Sequence, residues 1–196
     1  MFHVSYTEDE CMNRLKKRPI DGIYLLDNII SDKHCDMLRE FIDRNAIDDE
    51  DDVIKNSNVK AHMFSDNSTR GTVYKDIIHS ITEQLRNKLA FYYDINFNNY
   101  ETPILRKIYG NTRIHIDNVL NDMDSHKSNN FRVLSCIMCI NDDYEGGELV
   151  FPSQNRTIKL KRGQVIVFPP YWTHPHYSEK LKNNTFRYTV TTWFCN

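Results

Sequence analysis

The chain has no apolar run long enough to cross a bilayer, almost no net charge and no internal repeat. Each absence removes a class of protein. A membrane-spanning helix needs about 20 consecutive apolar residues, so no membrane partner is expected. The formal net charge is −2 over 196 residues, so no general attraction to nucleic acid is expected. Residues Met1–Arg18 are polar and lack the apolar segment of a secretory leader. Five cysteines (Cys11, Cys35, Cys136, Cys139 and Cys195) are too scattered, and odd in number, for a disulfide framework. The expectation is a cytoplasmic protein with free thiols. Cys136 and Cys139 have C-x-x-C spacing but lie in the strand-like run Val133–Ile140. Positions i and i+3 of a strand face opposite sides, so these two cannot pinch one metal.

What is present suits one globular domain over 1–196, since 40% of the residues are hydrophobic. Ile20–Ile30 reads as an interrupted strand. Ser31 is placed to cap a helix whose buried face is Cys35, Leu38, Phe41 and Ile42. Residues 46–71 are polar and irregular and include the acidic run 48–52. Tyr74, Ile77, Ile78, Ile81, Leu85, Leu89 and Tyr92 recur at helical spacing, with His79 off that stripe. From Pro103 the pattern turns to strands: Ile104–Tyr109, Thr112–Asp117, Arg132–Asn141, Glu148–Phe151, Thr157–Leu160, Gln164–Phe168 and Arg187–Cys195. Helices followed by many short strands predict an α+β fold, with helical support over about 31–95 and a sandwich or barrel over about 103–196. The polar insert 118–130 adjoins one of these strands and is placed to act as a lid or a plain connector.

The chemistry concentrates in Ile114-His115-Ile116-Asp117 and Thr173-His174-Pro175-His176. On a strand, His115 and Asp117 point to one face. One more histidine completes two imidazoles and a carboxylate, the facial set that holds Fe(II) and leaves coordination positions open. Both His174 and His176 are candidates. Downstream, the β-rich run Phe186–Phe194 carries Arg187. Its planar guanidinium suits a carboxylate, so an acidic cosubstrate beside the metal is expected.

In order and spacing, these pieces resemble the prolyl 4-hydroxylase-like branch of the Fe(II)/2-oxoglutarate dioxygenases. The resemblance rests on Gly22–Ser31, Tyr144-Glu145-Gly146-Gly147-Glu148-Leu149-Val150-Phe151, Gly163–Pro169, the H-x-D motif, and Arg187-Tyr188 with Trp193 six residues after the arginine. It implies a double-stranded β-helix (jelly roll) with supporting N-terminal helices. It further implies that His115, Asp117 and His174 are catalytic metal ligands for Fe(II), His174 being favoured over His176 by its distance from Phe168-Pro169. Arg187, Tyr109 and Thr189 would bind 2-oxoglutarate, and Arg132 and Trp193 would meet the substrate. O2 would be the second cosubstrate and ascorbate a reductant. The implied reaction hydroxylates a C–H bond, that of a prolyl residue in a peptide or protein, and releases succinate and CO2. One departure stands out: Cys139 occupies a position where the family often has a tyrosine that helps hold 2-oxoglutarate. Two alternatives follow, namely the same chemistry on a non-prolyl substrate or a non-catalytic jelly-roll module that binds metal or senses.

Overall fold

Strands whose alternate residues are apolar on both faces must be covered on both sides, and that requirement organises this molecule. The structure is a computed structural model and describes residues 19, 21–48, 59–63, 72–93, 96–118 and 131–196. In chain order the elements are β1 (Tyr24–Leu26), α1 (Asp32–Asn45), β2 (Ile47–Asp48), β3 (Val59–Met63), α2 (Thr72–Tyr93), β4 (Asn99–Tyr100), β5 (Ile104–Ile108) and β6 (Arg132–Cys139). There follow β7 (Glu145–Gly146), β8 (Leu149–Phe151), β9 (Arg156–Ile158), β10 (Val165–Phe168), β11 (Tyr177–Ser178), β12 (Leu181–Lys182) and β13 (Arg187–Cys195).

The large sheet runs β1-β10-β6-β13-β5-β3-β2, with β4 also pairing β13. Its pairings are antiparallel. The smaller sheets are β11-β8-β9 and β12-β7. One apolar core lies between the large sheet and the helices. Leu105, Leu134, Cys136, Met138, Val165, Val167, Val190 and Phe194 pack there with Leu38, Ile42, Ile78, Leu85 and Leu89. The second core lies between the sheets and joins Ile108, Cys139, Ile166 and Phe168 to Leu149, Phe151, Ile158 and Leu181. Neighbours along β6 and β10 thus alternate between the two cores, as the two-residue period of a strand demands. Cys136 and Cys139 fall in different cores, and the four described cysteines are free and buried.

The Ser31 hydroxyl caps α1 by accepting from the His34 N–H (3.3 Å), and Cys35, Leu38, Phe41 and Ile42 form its buried face. The stripe expected of α2 is inward-facing at Ile78, Ile81, Leu85 and Leu89, whereas His79 is exposed and meets the Tyr100 hydroxyl. Two expectations need correcting. The stretch 46–71 contributes β2 and β3 to one edge of the large sheet. Thr112–Asp117 is not a continuous strand: it makes a single bridge, His115 with His176. The acidic positions 49–52, the insert 119–130 and Cys11 lie outside the described residues. Among the described residues, no helix is long and apolar enough to cross a membrane.

Candidate metal and cosubstrate site

The His115–His176 bridge assembles the site. Each residue donates its backbone N–H to the other's carbonyl, at 3.0 and 2.9 Å. This pairing sets the two imidazoles side by side, with ring centroids 4.4 Å apart. Asp117 then reaches both: its Oδ1 lies 3.4 Å from His115 Nε2 and 3.6 Å from His176 Nε2. Among the described residues these three form a group whose ligand atoms all lie within 4.8 Å of one another, as one metal ion requires.

Hydrogen bonds select which ring nitrogens face inward. His115 Nδ1–H donates to the Arg113 carbonyl (2.8 Å), and His176 Nδ1–H donates to the His174 carbonyl (3.1 Å). A carbonyl only accepts, so in each neutral ring the lone pair sits on Nε2, the atom aimed at the shared centre. Burial lowers the pKa of His176, more than the nearby Asp117 charge raises it. Burial pushes the Asp117 carboxyl upward, but the His115 contact and the charge of His176 outweigh it and hold that carboxyl well below its ordinary range. Phe151 stacks on the His176 ring and Phe168 meets it edge-on, with centroids at 5.4 and 4.7 Å. Trp193 Nε1–H donates to the second carboxylate oxygen, Asp117 Oδ2, at 3.1 Å. Neutral imidazole nitrogens, an ionised carboxylate and a dry wall fit a borderline divalent metal such as Fe(II).

His174 is not part of this group. It sits in the turn before β11, where its N–H bonds the Tyr171 carbonyl (2.8 Å). Its Nε2–H donates to the Asp21 carbonyl (2.7 Å) and its Nδ1 accepts from the Thr173 hydroxyl (2.8 Å). Both nitrogens are thus occupied, Nε2 by the N-terminal segment and Nδ1 within the turn itself. The structure thus brings His176, and not the expected His174, together with His115 and Asp117. The His174 N–H is used by the Tyr171 carbonyl, whereas His176 exchanges both backbone bonds with His115.

A cavity of about 590 Å³ adjoins the triad. Its walls include Arg187, Thr189, Thr191 and Trp193 from β13, and Ile104, Arg106 and Ile108 from β5. Arg187 is 4% exposed, and its Nη1–H donates to the Gly147 carbonyl (2.6 Å). That carbonyl is presented by a turn in which Gly146 has φ +69°, and a Cβ at Gly146 would lie 2.3 Å from the Lys180 carbonyl oxygen. Burial lowers the Arg187 pKa, yet a guanidinium keeps its charge at neutral pH. The Cys139 thiol donates to the Asn141 carbonyl (3.1 Å), and burial pushes its pKa up to about 11, so it stays neutral.

Two further expectations change. Tyr109 lies one residue beyond β5, packs edge-on against Phe186 (4.9 Å) and does not line the cavity. The inward face of β5 belongs to the even-numbered residues, so Arg106, directly opposite Thr189, lines the cavity and Tyr109 does not. A charged residue in a strand reads as solvent-facing, and this hid Arg106. Arg132 does reach the cavity edge, but its guanidinium bonds Glu101 and the Asp117 carbonyl and stacks on Trp193.

Residues 96–195 match the model of the 2OG-Fe(II) oxygenase superfamily. The chain belongs to that superfamily. Prolyl 3-hydroxylase 2 of Rattus norvegicus is 33% identical over 92 residues, and that of Homo sapiens gives the same figure. The match covers 41% of this chain and 13% of those relatives' length. Three solved structures share the fold. A viral collagen prolyl hydroxylase of Paramecium Bursaria Chlorella virus-1, in complex with 2OG, gives a TM-score of 0.69 at 20% identity, covering 89% of this chain and 96% of that one. A Pseudomonas putida prolyl-4-hydroxylase gives 0.69 at 15%, covering 96% and 98%. A Trichoplax adhaerens prolyl hydroxylase, in complex with a hypoxia inducible factor peptide, gives 0.71 at 13%, covering 97% and 94%. The expected double-stranded β-helix with supporting helices is thereby borne out. The superfamily works with Fe(II), 2-oxoglutarate and O2.

Proposed function

We propose that this protein is a 2-oxoglutarate-dependent dioxygenase that hydroxylates a prolyl residue in a peptide or protein. The observation that carries the reading is the convergence of His115 Nε2, Asp117 Oδ1 and His176 Nε2 beside a cavity that also contains the buried guanidinium of Arg187. Bound Fe(II), with 2-oxoglutarate and O2, supplies the oxidising power, coupling loss of CO2 and formation of succinate to insertion of one oxygen atom into a C–H bond.

The chain's own residues do the rest. His115 and His176 present neutral Nε2 atoms because their Nδ1 protons are held by carbonyls. Asp117 stays ionised, and Trp193 occupies its second oxygen, leaving Oδ1 for the metal. Arg187 binds the remote carboxylate of 2-oxoglutarate, and Arg106 lies in the same cavity wall. The Thr189 and Thr191 hydroxyls lie on the same wall and can supply the hydrogen bond that Cys139 cannot. Phe151 and Phe168 keep water from the back of His176.

The prolyl substrate is supported by the relatives, which are named as prolyl hydroxylases. Trp193 is assigned to the wall the substrate enters along. Ascorbate is assigned only as an external reductant that keeps iron ferrous. The chain is assigned one catalytic domain over 1–196, and the buried thiols support work in a reducing compartment, the cytoplasm.

The test is an anaerobic titration of Fe(II) and then 2-oxoglutarate, followed by the visible charge-transfer band of the chelated keto acid. We expect the band in wild type and in His174→Ala, and none in Asp117→Ala or His176→Ala. A band that survives in folded His176→Ala would remove that residue from the site. Proline-containing peptides are then screened for a mass gain of one oxygen that depends on 2-oxoglutarate.

A further inference from the structure

Asp117 is held from outside the triad by a chain of contacts that begins at Glu101. The Glu101 carboxylate takes two parallel hydrogen bonds from Arg132, Nε–H to Oε1 at 2.5 Å and Nη2–H to Oε2 at 2.7 Å. The remaining arm of the same guanidinium, Nη1–H, donates to the backbone carbonyl of Asp117 at 2.5 Å. The guanidinium plane lies over the Trp193 ring, 3.9 Å from its centroid. Trp193 in turn donates to Asp117 Oδ2. Arg132 therefore fixes Asp117 twice, through its backbone and through the tryptophan that holds its side chain.

Glu101 is itself pinned to β13. Its N–H donates to the Trp193 carbonyl (2.9 Å), and its carbonyl accepts from the Thr192 hydroxyl (2.6 Å). The Glu101 and Arg132 side chains are about three-quarters shielded, with 29% and 24% exposure. A bidentate carboxylate–guanidinium pair in such a site is directional, unlike an exposed ion pair. Asp117 and Arg132 also stand at the two ends of the stretch that contains the insert 119–130. The Arg132–Asp117 bond thus closes that stretch at its base.

We propose that Glu101 is a positioning residue for the metal-binding carboxylate, acting through Arg132 and Trp193. It leaves Oδ1 facing the metal and Oδ2 bound to the indole, so that Asp117 binds through one oxygen. This inference rests on the metal-site reading given under Proposed function.

The test compares wild type with Glu101→Gln, Glu101→Ala and Arg132→Lys, using Co(II) as the probe in the full chain. Co(II) affinity and its visible absorption spectrum are measured first, then 2-oxoglutarate affinity at saturating metal, then peptide KM and kcat. Partners that orient a ligand typically change metal affinity by about 10- to 100-fold. We expect Glu101→Ala to weaken Co(II) by roughly tenfold and to alter its spectrum. Glu101→Gln should lose less, because it keeps an acceptor oxygen, and Arg132→Lys should be intermediate, because an ammonium cannot hold Glu101 bidentately and reach Asp117 as well. Affinity for 2-oxoglutarate on the loaded protein should be nearly unchanged. Unchanged Co(II) affinity and spectrum with a raised peptide KM would overturn the inference and make Glu101 and Arg132 substrate contacts. Should Glu101→Ala not fold, Glu101→Gln with the wild-type spectrum and affinity overturns it equally. Wild type that binds no Co(II) would instead fail the metal-site reading itself.

Discussion

The two faces of β13 differ in what they are for. Towards the helices it turns Tyr188, Val190 and Phe194, all in the main apolar core. Towards the cavity it turns Arg187, Thr189, Thr191 and Trp193. All nine residues of the strand are buried, so solvent does not explain the contrast. Burying an apolar side chain stabilises by about 1.5–3 kcal/mol, whereas burying a guanidinium costs unless it is fully partnered. One face therefore holds the sheet together. The other spends stability to keep charge and hydroxyls where a ligand can use them.

That contrast can be broken most forcefully at Phe194, which packs against Phe97 at 5.3 Å. Phe194→Ala is expected to cost about 3–5 kcal/mol of folding stability. That corresponds to a melting temperature lower by roughly 10 °C for a domain of this size. Differential scanning calorimetry checks it, and a loss under about 1 kcal/mol would deny the helix-facing side its role.

The opposite side is probed by Arg187→Met. Melting should move by only a few degrees, because replacing a buried charge with an apolar chain is often neutral or stabilising. Binding of 2-oxoglutarate should weaken by about 100-fold, the equivalent of losing a charge-assisted pair. Equal damage to folding and to ligand binding would erase the distinction between the faces.

Thr191→Val sharpens it on a finer scale. The swap keeps the branched shape and removes one hydroxyl from the cavity wall. We expect melting unchanged or slightly raised and 2-oxoglutarate weakened by about fivefold, the worth of one neutral hydrogen bond. Calorimetric titration of the metal-loaded protein reads this directly.

The smallest effect is a pH dependence on the helix side. Asp43 accepts from the Lys107 ammonium (2.5 Å) and the Tyr188 hydroxyl (2.7 Å). Burial raises its pKa, but those two bonds and the nearby positive charges outweigh burial and leave it lowered. A depressed carboxyl pKa contributes stability above its unfolded value near 3.9, and that stability is lost as pH falls through the folded value. The group is 40% exposed, so the contribution is screened to about 0.5 kcal/mol. Asp43→Asn should melt below wild type at pH 6, and the gap should close by about pH 2. A gap that persists in acid would assign the effect to shape.

Much of this was legible in the residues because strand and helix periods leave plain marks. The helix-facing stripe of α2, the Ser31 cap and the full extent of β13 follow from spacing alone. His115 and Asp117 were legible as a pair even though their stretch makes a single bridge and no strand. The choice between His174 and His176 was not, because both flank Pro175 and either can be counted from Phe168. Backbone pairing decides it: the His174 N–H goes to Tyr171 and the His176 N–H to His115, and the residue types do not announce either partner. Tyr109 was named from the family resemblance, and Arg106 was not singled out because a run such as Ile104–Ile108 does not announce which parity faces inward. Glu101 was missed altogether: it lies outside any strand, and its role depends on Arg132, 31 residues further along the chain.

The position of β13 carries a consequence for how the molecule comes to exist. It lies between β5 and β6, which pair with it and not with each other. Until residues 187–195 dock, the large sheet is two fragments, each with a bare inner edge. Such edges invite pairing with other chains. The partners are also distant along the chain, Arg187 with Ile108 and Thr191 with Ile104, and long-range pairings of this kind slow folding. Arg187, which lines the cavity beside the triad, thus arrives in the same event that joins the two fragments, so a molecule with that cavity complete is one that has already passed the stage at which it is most prone to aggregate.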